Sequence, residues 1–385
     1  MNISVVQGPR TTGTINTETR NKRFVEDMLQ ELEPEAGPLT TIMSRLGADT
    51  ATDTKVEWFE DQLLPDFDVL AGALAAGDAT MTVTNYKFYR KGDLVRVNDN
   101  EVVRVSATPS SATVTITRGF GSIAAAAAGV GSRLFILSSA GMEFDTYRDQ
   151  LTTQKVPRYN YIQAEASPCS FTNEDMATET FAGKEMPNEH KKSMVEQKKK
   201  MEKGNMLGQP YLDSSGSYPV RAMGGLEYYI QTNVKDCSGG FTEPEFEDFI
   251  RVWFRYGARE KVLFCSPKVI QSVNGFQRSK LQTFSDENTY GVTMTEYKNA
   301  GRRVMLVEEI LLTNQNLNDL TGIAGHAIGI DPNNVKLYYL QGNATEMYEN
   351  VQNPGVKGRI DEVRGSWSMG VFLEQTHALL TGVSD

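Results

Sequence analysis

A chain of 385 residues is longer than one hydrophobic core usually supports, about 250 to 300 residues, so two or three domains are expected. A net charge of -10 and a pI of about 5.1 exclude nucleic-acid phosphate as the main source of affinity. No apolar run approaches the roughly 18 residues needed to cross a bilayer, and the opening MNISVVQGPR has neither a basic leader nor an apolar signal core, so a soluble, unexported chain with no membrane partner is expected.

From residue 1 to about 20 the chain is rich in Thr, Asn and Gly without an apolar period, which predicts an arm with no core of its own. Phe24, Met28, Leu29 and Leu32 then share one helical face, ended by Pro34 and Pro38. A short apolar cluster follows at Leu39, Ile42, Met43 and Leu46. Residues 54–61 read as a strand, with Val56 and Trp58 on one side and Glu57 and Phe59 on the other. Between 63 and 139, β-type runs at 80–84, 94–97, 102–106, 113–118 and 134–137 alternate with Gly, Asn, Asp, Pro and Ser clusters. That spacing predicts a small antiparallel barrel or sandwich inserted as a unit. Residues 157–165 return to extended character, and with 56–61 they bracket the insertion, so the two are expected to pair as legs of a long hairpin.

The stretch 187–208, PNEHKKSMVEQKKKMEKGNMLG, reads only as helix: Pro187 and Glu189 suit its first turn, and Gly204 and Gly208 its end. Met194 and Met201, seven apart, give a narrow apolar seam. The alternating Lys and Glu leave two readings: a solvated helix with self-paired charges, or a strut lying across a sheet with its polar flanks against neighbouring copies. Downstream, Thr242 and Glu245 form a capping pair for a helix whose apolar face is Phe246, Phe249, Ile250, Trp253 and Phe254. Residues 262–265 form a buried strand, Ser266-Pro267 opens a further helix, and strands follow at 292–297, 304–307, 327–330, 335–340 and 367–373. Helices beside a sheet in this mixed order predict an α+β body.

Motifs for chemistry are scarce. There is no phosphate-binding glycine loop with its lysine and no HExxH, and His190, His326 and His377 lie in unlike segments. Cys169, Cys237 and Cys265 are odd in number and far apart, as reduced thiols would be. Adjacent carboxylates such as Glu308-Glu309 and Asp361-Glu362 point to opposite faces of a strand, which is poor geometry for shared acid-base work. Trp58, Arg158, Tyr159 and Tyr161 read as a stacking surface for single-stranded nucleic acid or, more simply, as aromatic cross-strand packing on a hairpin. No enzyme activity, cofactor or metal is expected.

Five segments together resemble the major capsid proteins of tailed bacteriophages with the Hong Kong 97-type fold, in a branch whose extended loop carries an inserted β-domain. They are RNKRFVEDMLQELEPEAGPLTTIMSRLG at 20–47, KVEWFED at 55–61, PRYNYIQ at 157–163, the long helix, and GRIDEVRGSWSMGVFLEQTHALL at 358–380, in the expected order. The resemblance implies an N-terminal arm and anchoring helix at 1–53, and an extended loop at 54–170 with its insertion at about 63–139. It implies a peripheral domain at 171–241 around a spine helix at 187–207, an axial domain at 242–342, and strands at 343–385 returning to the peripheral domain. The implied function is self-assembly, through hexamers and pentamers, into an icosahedral shell that encloses double-stranded DNA without sequence-specific binding. Scaffolding, portal and decoration proteins are further candidate partners, and the implied locations are the virion and, during assembly, the host cytoplasm. Phe24, Trp58, Arg158, Tyr161, Lys191, Lys198 and Lys199 are the expected inter-subunit contacts. An encapsulin-like compartment and a glycan-binding module at 63–139 stand as alternatives.

Overall fold

The computed structural model describes residues 37–98, 101–121, 123–141, 143, 150–178, 185–276, 281–282, 295–299, 301–312 and 322–383. The expected helix around Phe24 lies outside them. The chain divides into two compact units, Met1–Glu57 with Tyr159–Asp385, and Trp58–Arg158.

The first described element is α1 (Pro38–Leu46), followed by β1 (Ala48–Ala51) and β2 (Lys55–Glu60). The second unit then runs through β3 (Phe67–Val69), β4 (Thr80–Thr82), β5 (Asp93–Val97), β6 (Glu101–Val105), β7 (Thr113–Thr117) and β8 (Arg133–Ser139). These pair in the order β3-β8-β5-β6-β7-β4. Leu70 opposite Val83, with Ala71 N–H donating to Thr82 O (2.9 Å), closes the first strand onto the last, so the six strands make a barrel. Strand alternation sends Val95, Val97, Val103, Val105, Val114 and Ile116 inward. One buried charge pair sits among them: Glu101 accepts from Arg118 Nε (2.8 Å) and from the N–H groups of Gly119 and Ala126. Burial pushes Glu101 up, but these donors outweigh it and hold the carboxyl below its usual range.

The chain returns to the first unit along β9 (Val156–Tyr161), which pairs with β2 as a two-stranded ribbon, and continues with β10 (Gln163–Thr172), α2 (Asn173–Ala177) and the spine helix α3 (Glu185–Leu207). After it come a hairpin of β11 (Tyr211–Asp213) and β12 (Val220–Ala222), α4 (Leu226–Tyr229), β13 (Val234–Asp236), α5 (Glu243–Trp253), β14 (Glu260–Cys265) and α6 (Pro267–Gly275). The remaining strands are β15 (Leu281–Gln282), β16 (Thr295–Asn299), β17 (Arg302–Glu308), β18 (Ala327–Ile330), β19 (Val335–Leu340), β20 (Glu346–Tyr348), β21 (Gly358–Val371) and β22 (Ala378–Thr381). Two sheets result. One is ordered β1-β19-β21-β10, with β20 also on β21, and the other β13-β22-β18-β14-β17-β16-β15. The last strand, β22, thus joins the seven-stranded sheet.

Strand β14 shows how the apolar run at 262–265 serves two cores at once. Val262 and Phe264 face a cluster with Leu39, Ile42 and Met43 of α1, Met201 and Met206 of α3, and Trp367 of β21. Leu263 and Cys265, one residue out of phase, face Phe246, Phe249, Ile250 and Trp253 of α5. Thr242 N–H donates to the Glu245 carboxylate (2.9 Å) at the start of α5, so its capping pair forms as the sequence predicts. At the other end the buried Lys261 ammonium donates to the carbonyls of Trp253 (3.0 Å), Tyr256 (2.7 Å) and Thr376 (2.9 Å), which satisfies all three of its hydrogens and caps the helix. The Trp253 ring lies so close to β18 that a Cβ on Gly329 would come within 2.6 Å of it.

Candidate assembly surfaces

The spine helix meets its sheet differently from the expected Met194–Met201 seam. Met194 is 50% exposed, while the buried row is Ser193, Gln197, Met201 and Asn205, four apart. The reason is that β10 offers polar partners at alternate positions. Ser193 Oγ lies 2.7 Å from Cys169 Sγ, Ser167 Oγ donates to Gln197 Oε1 (2.7 Å), and Lys200 pairs with Glu165 (3.2 Å). On β21 the buried Asp361 collects His190 Nε2 (2.8 Å), Arg359 Nε (2.8 Å) and the Asn350 N–H (2.9 Å). A polar ladder, with few apolar contacts, therefore seats the helix.

The ribbon of β2 and β9 is rooted by Asn160, a residue that no sequence pattern singles out. Its fully buried amide donates to Gly224 O (2.9 Å) and Met369 O (2.7 Å) and accepts from Gly224 N–H (2.8 Å). Lys55 lies over the Tyr159 ring at 4.3 Å, and Tyr159 meets Tyr161 edge-on at 5.3 Å. Farther along, the Trp58 indole N–H donates to Glu60 (3.0 Å), whose carboxylate also lies 3.6 Å from Arg158. Trp58 is only 8% exposed, whereas Phe59 is 72% exposed and Leu63 93%. The open apolar face of the ribbon therefore centres on Phe59.

Of the contact residues expected from sequence, Trp58 and Arg158 are brought together at Glu60. Tyr161 packs on Tyr159. Lys191 is exposed and Lys199 half-buried on the spine. Lys198 reaches α1, donating to Thr41 Oγ1 (2.9 Å). Phe24 lies outside the described residues. A trough of about 500 Å³ over β10, β20 and β21 is lined by Glu165, Tyr348 and Arg364 among others. These groups are engaged, Arg364 with Glu362 and with the Tyr348 ring and Glu165 with Lys200. Among the described residues no group of three or more His, Cys, Asp or Glu is placed to hold a metal ion.

The model of one protein family, the SU10 major capsid protein, matches residues 10–384. This chain belongs to that family. A curated relative, the major capsid protein of Pseudomonas phage PaMx41, is 21% identical over 403 residues, covering 96% of this chain and 94% of that one. Among solved structures, the capsid of the native GTA particle (8% identity, 98% of this chain and 100% of that one, TM-score 0.50) is similar to it. So is the capsid of cyanophage P-SCSP1u (8%, 98% and 99%, TM-score 0.50). The fold is of the Hong Kong 97 type, and the protein is a phage major capsid protein that forms the capsid shell.

Proposed function

We propose that copies of this chain tile, through hexamers and pentamers, into the icosahedral head of a tailed phage, which encloses double-stranded DNA without reading its sequence. The observation that carries this reading is the ribbon's bare apolar face. Phe59 and Leu63 are too exposed to stabilise their own chain, and large apolar side chains left bare mark a surface awaiting a partner. A second copy is the partner that a shell supplies at every position. The net charge of -10 suits a wall that confines DNA without gripping its phosphates. The chain acts as a structural protein without enzymatic activity, assembles in the host cytoplasm, and meets scaffolding, portal and decoration proteins there.

Electron microscopy and sedimentation of the expressed chain test this directly, with closed shells as the expected product. Phe59→Ser with Leu63→Ser should leave the unassembled fold intact and raise the concentration needed for assembly at least about tenfold, the equivalent of about 1.4 kcal/mol per contact. A wild-type chain that stays monomeric at every concentration, or a double variant that assembles as readily as wild type, overturns the reading.

A further inference from the structure

The amino end of α1 rests on the spine helix in an arrangement unlike the other helix caps among the described residues. Gly37 supplies no side chain to cap α1; it sits at φ 90° so close to the spine that a Cβ there would lie 3.1 Å from Lys198 Cε and 3.2 Å from Glu202 Oε2. Glu202 caps the helix in its stead. Its carboxylate accepts from Leu39 N–H (2.6 Å), from Thr40 N–H (2.7 Å) and from the Thr40 hydroxyl. An anion so placed satisfies orphan donors and meets the positive end of the helix dipole. Yet Glu202 has no exposed surface, and beside it lies a second buried carboxyl, Glu309, 1% exposed, on the segment leaving β17. Glu309 accepts from Leu311 N–H (3.0 Å) on Oε1, while its Oε2 meets no donor from another group and its carboxyl lies within hydrogen-bond reach of the Glu202 carboxylate.

We propose that Glu202 and Glu309 form a proton-holding clasp on α1, which ties the chain's N-terminal segment to the spine helix and loosens as pH rises. Two carboxylates cannot share a dry site both charged, so one must hold the proton. Glu202, with three donors, is the carboxylate. Glu309, with one donor and an orphaned oxygen, is the acid. Burial first, and then the Glu202 charge, push Glu309 up to about 9, and burial pushes Glu202 in the same direction. Few other charged or titratable groups face the pair. Lys198 is the cation on the spine side, α1 contributes only the Thr40 and Thr41 hydroxyls, and β14 contributes the Cys265 carbonyl, which accepts from Glu309 N–H (2.8 Å), and a thiol that burial keeps protonated.

The sign follows from linkage. A raised carboxyl pKa means that the docked helix retains a proton which the undocked one releases, so docking is strongest below the ordinary value of 4.5. It weakens by up to about tenfold per pH unit as pH climbs through about 9. Amide hydrogen exchange of the full-length chain, read by mass spectrometry on the peptide spanning α1 and corrected for intrinsic rates, tests it between about pH 6.5 and about pH 8. Helix α5 in the same sample is the internal reference: burial pushes His377 down to about 4 and Lys261 to about 8, and together they raise the protection of α5 by no more than about fourfold across that window, far short of the change expected of α1. Protection of α1 should fall by about tenfold to thirtyfold relative to α5, and Glu309→Gln, which keeps a donor but cannot ionise, should abolish the fall. If α1 and α5 keep a constant ratio in the wild type, or if Glu309→Gln follows the wild-type slope, the clasp is wrong. Should that variant not fold, the wild-type ratio decides alone.

Discussion

The two helices that cover the two sheets are held in opposite ways. Helix α5 sits on the seven-stranded sheet through Phe246, Phe249, Ile250 and Trp253, all buried, with its polar ends closed by Glu245 and Lys261. The spine helix α3 sits on β10 and β21 through Ser193, Gln197, Lys200 and His190, each matched to a strand side chain. An apolar contact is non-directional and gains in proportion to area, so it makes α5 hard to remove. A hydrogen-bonded ladder gains little net free energy per rung but penalises a wrong register, because each misplaced rung leaves a buried polar group bare. The first arrangement fixes a domain; the second fixes where a long strut lies.

The largest effect should come from the apolar side. Trp253→Ala removes the side chain that fills the space above Gly329 and should cost about 3–5 kcal/mol in urea denaturation, with a lower unfolding midpoint. A cost under about 1 kcal/mol would mean that α5 is not held as described.

Acid should separate the two interfaces next. His377 is buried, accepts Asp331 N–H at Nδ1 (3.3 Å) and donates from Nε2 to Phe372 O (3.1 Å), which requires the neutral ring, and burial pushes it down to about 4. Its neutral form is fully favoured above 6.5, so the α5 core loses at most about 1.4 kcal/mol per unit as pH falls from there to about 4. Asp361 works in a lower window. Burial pushes it up, but Arg359, the Asn350 N–H and His190 outweigh that and hold it below 3.8, so its contribution is lost only as pH drops beneath that value. Hydrogen exchange at about pH 5 should therefore open α5 before α3. The reverse order would break the comparison.

What the sequence disclosed follows the same division. The α5 face and its cap were legible because apolar period and capping chemistry agree, and the β-runs of the barrel because Val and Thr alternate between turns. Strand β3 was not, since its inward residue is Asp68, a poor strand former made tolerable by Asn85 N–H (3.0 Å) and the Tyr89 hydroxyl (3.2 Å). Nor was the first half of β21, where Arg359, Asp361, Glu362 and Arg364 give no apolar alternation, so the predicted strand begins only at 367, yet they pair with β10 in register. Met194 misled for a related reason: when a helix face is polar, apolar spacing no longer marks the buried side. Glu308-Glu309 was judged as a pair within one strand, whereas the partner of Glu309 is Glu202, more than a hundred residues away and disguised among the spine's solvated charges. Sequence spacing cannot report a pairing that only the packing of α1 creates.

The smallest expected effect is also the sharpest test of the polar ladder. Ser167 Oγ donates to Gln197 Oε1 and itself receives Lys200 Nζ (3.3 Å), while Gln197 Nε2 has no partner among the described residues. Ser167→Ala should cost about 1 kcal/mol, because it strands the amide oxygen as well. Gln197→Met, of similar length and without polar atoms, should be close to neutral, since it removes one orphaned donor while freeing one hydroxyl that Lys200 still engages. In the double variant the loss at Ser167 should largely vanish, giving a coupling of about 0.5–1.5 kcal/mol in urea denaturation. A coupling near zero would mean that the rung is ornamental and that Met201 and Met206 alone seat the helix. The spine would then be held as α5 is, by area rather than by register.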